Sequence, residues 1–118
     1  MKATAIGFVA IPVTDMERAR EFYEGVLGLK ESGRFMDSQW IEYGVGKDTL
    51  AIASISDSWT PSDQGTGAAL EMEDFDEAIA ELKKANVAFA AEAFESPVCH
   101  MAIVQDPDGN KIMIHKLK

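Results

Sequence analysis

The chain contains two histidines, His100 and His115, and they are the side chains best suited to chemistry near neutral pH. An imidazole can act there as a general base, or gate a ligand through its own titration. Cys99 precedes His100, which raises the idea of a soft-metal site or a thiol–imidazole pair. Neighbouring residues of a strand point to opposite faces, which argues against both ideas. The alternative for the two histidines is a solvated pair without a functional role.

Composition excludes several classes of partner. The net charge of −9 leaves no basic patch that could neutralise nucleic-acid phosphates. The single cysteine, Cys99, rules out an intrachain disulfide and indicates a reducing, cytoplasmic compartment. We expect no signal peptide before the first strand and no membrane span, because no apolar run reaches the length of about 20 residues that crosses a bilayer.

One pattern is written twice along the 118 residues. Each copy opens with an apolar strand, at residues 8–13 and 67–72, and each strand leads into an acidic helix start. Short extended segments then follow and end in a hairpin. The pattern predicts an α+β domain over residues 1–118, built from two tandem βαβββ modules at about residues 5–57 and 64–118.

Both helices carry start and stop signals. Thr14 and Asp15 are each good N-caps for the first helix, and Thr14 has capping-box spacing to Glu17. Gly28 is expected to end that helix in the left-handed conformation. The second helix is predicted to begin at Asp74 and to end at Asn86. Each helix has an apolar stripe that must pack on a sheet: Ala19, Phe22, Tyr23, Val26 and Leu27, then Phe75, Ala78, Ile79 and Leu82.

Alternation assigns the faces of the opening strands. The helix-facing residues are predicted to be Val9, Ile11 and Val13 in the first copy, and Ala68, Leu70 and Met72 in the second. The opposite face should look into whatever the sheets enclose. It is expected to carry Phe8, Ala10, Pro12, Gly67, Ala69 and Glu71.

The final hairpin surrounds the turn at residues 106–110, whose acids are interpreted as turn formers. Pairing Gln105 with Asn110 would place His100 opposite His115. The helix side would then consist of Met101, Ile103, Ile112 and Ile114. A slip of one residue would also bury apolar side chains.

Trp40 and Glu42 are candidates for a binding surface. Ungapped superposition of the two hairpins sets Trp40 against Ala102 and Glu42 against Val104, which predicts that all four face inward. Trp40 and Glu42 could hold a cationic or aromatic ligand by cation–π attraction and charge pairing. The alternative is a core tryptophan and a solvated rim carboxylate. The polar link at residues 54–65 should lie on the surface, with Trp59 as its partly buried anchor.

Two motifs carry a family resemblance. FVAIPVTDMERAREFY at residues 8–23, continued by VLGL at residues 26–29, resembles the opening of the glyoxalase, bleomycin-resistance and extradiol-dioxygenase superfamily. DPDGN at residues 106–110, followed by Ile112, resembles its closing hairpin. The resemblance spans essentially the whole chain. It implies a curved mixed sheet or half-barrel around a cavity, and it leaves the activity open because this fold hosts many functions.

The resemblance also implies where a metal would be bound. Enzymes of that superfamily hold a divalent ion with His, Gln or Glu at four equivalent inward positions. Those positions are Phe8, Ala51, Gly67 and Met113 here, and none is a credible ligand for such an ion. We therefore expect no metal and no cofactor. The cavity is expected to be lined by those four residues together with Trp40, Glu42, His100 and His115.

Three hypotheses follow from this sequence. The first is a metal-free protein that binds a small organic molecule, as drug-sequestering members of the superfamily do. The second is a lyase, isomerase or other enzyme with a nonstandard site that uses His100 and His115, with or without Glu42. That site would work either with a metal or as a metal-free acid–base catalyst. The third is an interaction module with a filled cavity. The first is favoured, and the resemblance implies a homodimer.

Overall fold

The computed structural model describes all 118 residues, which form two compact units, Met1–Pro61 and Ser62–Lys118. Each unit contains a four-stranded mixed sheet and one helical region in the order βαβββ. The predicted α+β class and the tandem modules are therefore confirmed. The unit boundary falls within the predicted polar link. That residues 1–118 form one domain stays a prediction.

The two units share one strand order, which explains the repeated sequence pattern. In each sheet the first strand of the unit pairs in parallel with the fourth, and the remaining pairs are antiparallel, so the strands lie in the order first, fourth, third, second. Unit 1 consists of β1 Val9–Pro12, α1 Met16–Arg20, a π-helical segment Glu21–Val26, β2 Lys30–Phe35, β3 Trp40–Val45 and β4 Asp48–Ala53. Unit 2 consists of β5 Ala68–Glu71, α2 Phe75–Lys84, β6 Phe89–Glu95, β7 Cys99–Gln105 and β8 Lys111–Leu117.

Both helices begin at an aspartate. Asp15 accepts a hydrogen bond from the backbone N–H of Arg18 at 3.1 Å, and Asp74 accepts one from the N–H of Glu77 at 3.0 Å. These bonds satisfy N–H groups that the first turn leaves without a partner. Of the two candidates at the first helix, the N-cap is Asp15 and not Thr14.

The sequence predicted a single regular helix in unit 1, but only its first part is α-helical. After Arg20 it widens into the π-helical segment, and the N–H of Leu27 donates to the carbonyl of Phe22 at 2.9 Å. Within this segment Glu24 accepts hydrogen bonds from Arg20 Nε at 2.7 Å and from the hydroxyl of Tyr43 at 2.8 Å. The Arg20 hydrogen bond is the main cause that lowers the pKa of Glu24, while burial raises the pKa of Tyr43. This network ties the helical region to β3.

The predicted helix ends are confirmed. Gly28 has a φ of 71° and Asn86 a φ of 59°, both in the left-handed region that these residue types tolerate best.

Replacing Gly28 with alanine should lower the free energy of unfolding by about 1–2 kcal/mol, because an L side chain is strained at this positive φ. Gly25 is the matched control, since it lies inside the π-helical segment and its φ is not positive. An added Cβ would meet no atom within 4 Å at either position, so the backbone conformation alone separates the two variants. Gly25→Ala should be neutral or stabilising by up to about 1 kcal/mol. Equal urea midpoints for the two variants would contradict this assignment.

The register of the last hairpin differs from the prediction by one residue. Gln105 pairs with Lys111 and not with Asn110, and Ile103 pairs with Met113. The turn itself explains the shift. Asp106 and Asn110 close it through a 2.9 Å backbone hydrogen bond, and the Asp106 carboxylate accepts from the Asn110 N–H and side-chain amide at 2.9 and 2.8 Å. The pairing therefore begins one residue later than the sequence suggested.

This shift exchanges the two faces of β7. Ala102, Val104, Ile112 and Ile114 are fully buried, and they lie on the side of the sheet that carries α2. The prediction that Met101 and Ile103 face the helix was wrong. They lie on the opposite side, which we call the distal face of unit 2. The distal face of unit 1 is defined in the same way, as the side of its sheet away from α1.

No helix in the chain has the length and apolar character that a bilayer span requires.

Candidate functional site

The distal face of unit 1 brings together the four residues that the sequence had placed on an inward surface of the first copy. Glu42 pairs with Ala51 across β3 and β4, and Ala51 in turn neighbours Ala10 on β1. The ring of Phe8, just before β1, meets Trp40 edge to face with ring centroids 5.4 Å apart. Phe8, Trp40, Glu42 and Ala51 therefore share one surface.

Trp40 and Glu42 are joined directly. The indole Nε1–H of Trp40 donates to Glu42 Oε2 at 2.9 Å, which is possible because residues two apart on a strand lie on the same face. This bond fixes the orientation of the indole. No lysine, arginine or histidine forms an ion pair with Glu42. The carboxylate therefore keeps its charge available beside an aromatic ring.

A third aromatic residue, Phe35, completes this surface and was missed in the sequence. It pairs with Trp40 at the edge of the sheet, and Gly33 pairs with Glu42. A Cβ on Gly33 would lie 3.2 Å from the Phe35 ring and 3.8 Å from Glu42 Oε1, so the glycine leaves space for the ring beside the carboxylate. The cross-strand position opposite Trp40 is the signal that could have revealed Phe35.

We call Phe8, Phe35, Trp40 and Glu42 the aromatic site. Phe8 is 51% exposed and Phe35 is 54% exposed, although large aromatic side chains usually bury most of their surface. Aromatic faces attract cations through their quadrupoles, and an unpaired carboxylate adds charge attraction. The arrangement is suited to a flat or cationic organic molecule.

The four positions at which the resembled enzymes hold a metal do not fit such an ion here. In unit 1 they are Phe8 and Ala51. In unit 2 they are Gly67 and Met113, and a Cβ on Gly67 would lie 3.6 Å from Met113 Cε. None of these side chains offers the nitrogen or oxygen that a divalent ion of that class requires. No group of three or more His, Cys, Asp and Glu side chains is arranged to hold a metal ion elsewhere in the chain.

The distal face of unit 2 carries a carboxylate–imidazole pair. Glu71 and His115 are partners across β5 and β8, and His115 Nδ1 is hydrogen-bonded to Glu71 Oε1. The other oxygen of Glu71 accepts from the N–H of Leu117 at 2.8 Å. These two hydrogen bonds, with that of Leu117 the larger influence, lower the pKa of Glu71. Met113 shares this face, two residues before His115.

His100 does not join His115, so the predicted histidine pair was wrong. His100 lies opposite Lys116, whereas His115 lies opposite Met101. The imidazole of His100 is on the helix side, where its centroid lies 5.6 Å from that of Phe75. An enzyme site built from both histidines of one hairpin is therefore not formed.

The same register corrects the match between the two copies. Ala51 lies nine positions after its partner Glu42, whereas Met113 lies ten positions after its partner Ile103. The second turn is one residue longer, so the structural counterpart of Glu42 is Ile103, and by the same offset Met101 corresponds to Trp40. Ala102 and Val104, predicted to face inward, lie instead in the core of unit 2.

Two further residues named in the sequence are described by their surroundings. Cys99 is buried, and its sulfur lies 3.3 Å from the hydroxyl of Ser96. Trp59 is 36% exposed, and its role as the anchor of the link stays a prediction.

Comparison with known proteins identifies relatives of this fold. Residues 5–114 match the family model of the Glyoxalase/Bleomycin resistance protein/Dioxygenase superfamily. TnmS3, an antibiotic-binding protein from Streptomyces sp. CB03234, superposes with a TM-score of 0.83 at 23% identity, covering 100% of this chain and 99% of that one. A lactoylglutathione lyase from Agrobacterium tumefaciens superposes with a TM-score of 0.75 at 19% identity, covering 98% and 95%. No curated protein sequence matches the chain.

Proposed function

Because the chain belongs to the Glyoxalase/Bleomycin resistance protein/Dioxygenase superfamily, we propose that it is a small-molecule-binding protein. Its ligand is an aromatic or cationic organic compound, held at the aromatic site on the distal face of unit 1. Binding requires no metal. The proposal goes beyond the fold, since this fold serves enzymes and binding proteins alike.

One observation carries the proposal, namely the hydrogen bond between Trp40 and Glu42 on a surface that otherwise exposes aromatic rings. Exposed Phe8 and Phe35 would lose unfavourable contact with water when a flat molecule covers them. Glu42, which has no cationic partner, would gain one from the ligand. An apolar surface with a few placed polar groups is typical of small-ligand sites.

The relatives support the same direction. TnmS3, whose fold superposes on this chain, is an antibiotic-binding protein. We extend to this chain only the binding of an organic molecule, and its own residues set the chemistry of the site. We also propose a homodimer, as the resemblance implies, and a cytoplasmic location, which rests on the single buried cysteine.

The charge preference of the aromatic site can be tested by calorimetric titration with two aromatic probes of opposite charge. Acridine orange, a planar cation, should bind, and the anion 1-anilinonaphthalene-8-sulfonate should bind at least about tenfold more weakly, a difference of about 1.4 kcal/mol. Glu42→Gln should remove most of that preference, because it keeps the hydrogen-bond acceptor for Trp40 and removes the charge.

Asp57→Asn is the matched control, since it removes one negative charge from an exposed position in the link. It should leave the preference for the cation unchanged. A loss of preference in both variants would mean that the overall net charge, and not Glu42, selects the cation. Equal affinity of the natural protein for the two probes would reject a cation-selective site.

A further inference from the structure

The distal face of unit 2 gathers soft metal-binding atoms from two neighbouring strands. Met101 on β7 lies directly opposite His115 on β8, and Met113 lies on the same face two residues before His115. Residues opposite each other in an antiparallel pair have Cβ atoms about 4.5–5.5 Å apart, and diagonal neighbours lie about 7–8 Å apart. Two thioethers and one imidazole can therefore reach a common point above the sheet.

Glu71, the neighbour of His115 on β5, orients the imidazole of His115 for metal coordination. Its Nδ1 is engaged by Glu71 Oε1, and Glu71 is itself held by the N–H of Leu117 at 2.8 Å. With Nδ1 donating to the carboxylate, a neutral imidazole presents the lone pair of Nε2 for a metal. A metal-ligating histidine usually donates a hydrogen bond to a carboxylate from the ring nitrogen that does not bind the metal, which is Nδ1 here. The His115 side chain is 20% exposed, which leaves it accessible to a small ion.

The donor type decides which metal fits. Thioether sulfur is a soft ligand that favours Cu(I), whereas Mg²⁺, Ca²⁺ and Mn²⁺ prefer carboxylate, carbonyl and water oxygens. Methionine side chains are long and unbranched, so their sulfurs can adjust to an ion without movement of the strands. This face therefore suits Cu(I) better than Mg²⁺, Ca²⁺ or Mn²⁺, because it offers thioether sulfurs where those ions prefer oxygen ligands.

We propose that unit 2 binds one Cu(I) ion through the sulfurs of Met101 and Met113 and through Nε2 of His115, with Glu71 as the positioning residue. The site is independent of the aromatic site of unit 1, since the two share no residue. Cys99 lies two residues before Met101 on β7, where it is buried with its sulfur 3.3 Å from the Ser96 hydroxyl, and the proposed ligand set does not include it.

The test is a competition titration of the full chain with Cu(I) and bicinchoninate, under reductant and without oxygen. The natural protein should withdraw one equivalent of Cu(I) from the chelator. Replacing both methionines with leucine keeps the apolar volume and removes both sulfurs, so it should preserve the circular dichroism spectrum and weaken Cu(I) binding at least about tenfold. Glu71→Gln should weaken binding by about 10–100-fold, as expected when the partner of a ligating histidine is changed.

Two matched controls test whether other sulfur atoms of the chain bind Cu(I). Met36→Leu removes a thioether that is 63% exposed in unit 1 and should leave Cu(I) affinity unchanged. Cys99→Ser should also leave it unchanged. The proposal is overturned if the natural protein takes no Cu(I) from the chelator, if the double leucine variant binds as tightly as the natural protein, or if Cys99→Ser abolishes binding.

Discussion

Replacing Trp40 with alanine is expected to weaken binding of acridine orange by about 30-fold or more. Truncation of a central tryptophan in a binding surface typically costs about 2 kcal/mol or more, and 1.4 kcal/mol is about a factor of ten in affinity. The substitution removes the largest ring of the aromatic site and also the N–H that orients Glu42 at 2.9 Å. Trp40→Phe keeps a ring but loses that donor, so its affinity for acridine orange should lie between those of the natural protein and Trp40→Ala. Isothermal titration calorimetry measures all three proteins directly.

Trp59→Ala is the matched control, because the chain contains only one other tryptophan and it lies in the polar link. Its affinity for the probe should equal that of the natural protein. If Trp40→Ala binds acridine orange as tightly as the natural protein while remaining folded, the aromatic site is not where the ligand binds. A loss of affinity in Trp59→Ala alone would move the site to the link.

The second large effect concerns the core of unit 2. Val104→Asp should lower the free energy of unfolding by about 3 kcal/mol or more, because it places an unpaired carboxylate among fully buried apolar residues. Val104 has no exposed surface, and it pairs with Ile112, which has none either. Guanidinium denaturation followed by circular dichroism measures this loss.

Ile103→Asp is the control, since it introduces the same side chain one residue away on the partly exposed distal face. Its cost should stay near that of an average substitution, about 1 kcal/mol. The order of the two variants discriminates between the two possible registers of the hairpin. If Ile103→Asp proved the more damaging, the pairing of Ile103 with Met113 would be wrong.

Much of the fold follows from local signals in the sequence. Asp15, Asp74, Gly28 and Asn86 mark helix ends through requirements of the backbone, and such requirements do not depend on distant parts of the chain. The π-helical segment was not predictable in the same way. It is accompanied by contacts with Tyr43 on a different element, and no sequence pattern records that contact.

The register of the last hairpin could not be predicted from hydrophobic periodicity alone. Both faces of β7 and β8 are largely apolar, so alternation permits two registers that differ by one residue. The buried Asp106–Asn110 turn decides between them through its own hydrogen bonds. Trp40 and Glu42 were assigned to one face because strand alternation is robust within a single strand. Phe35 and the Glu71–His115 pair were missed because each depends on a partner strand.

The most direct test of the central claim is a titration followed by NMR through the two tryptophan indole N–H signals of the isotope-labelled protein. The signal of Trp40, identified by its loss in Trp40→Phe, should shift progressively as acridine orange is added, because its N–H donates to Glu42 within the aromatic site. The signal of Trp59 should stay in place. A saturable binding event that moves the Trp59 signal and leaves the Trp40 signal unchanged would contradict the proposed site.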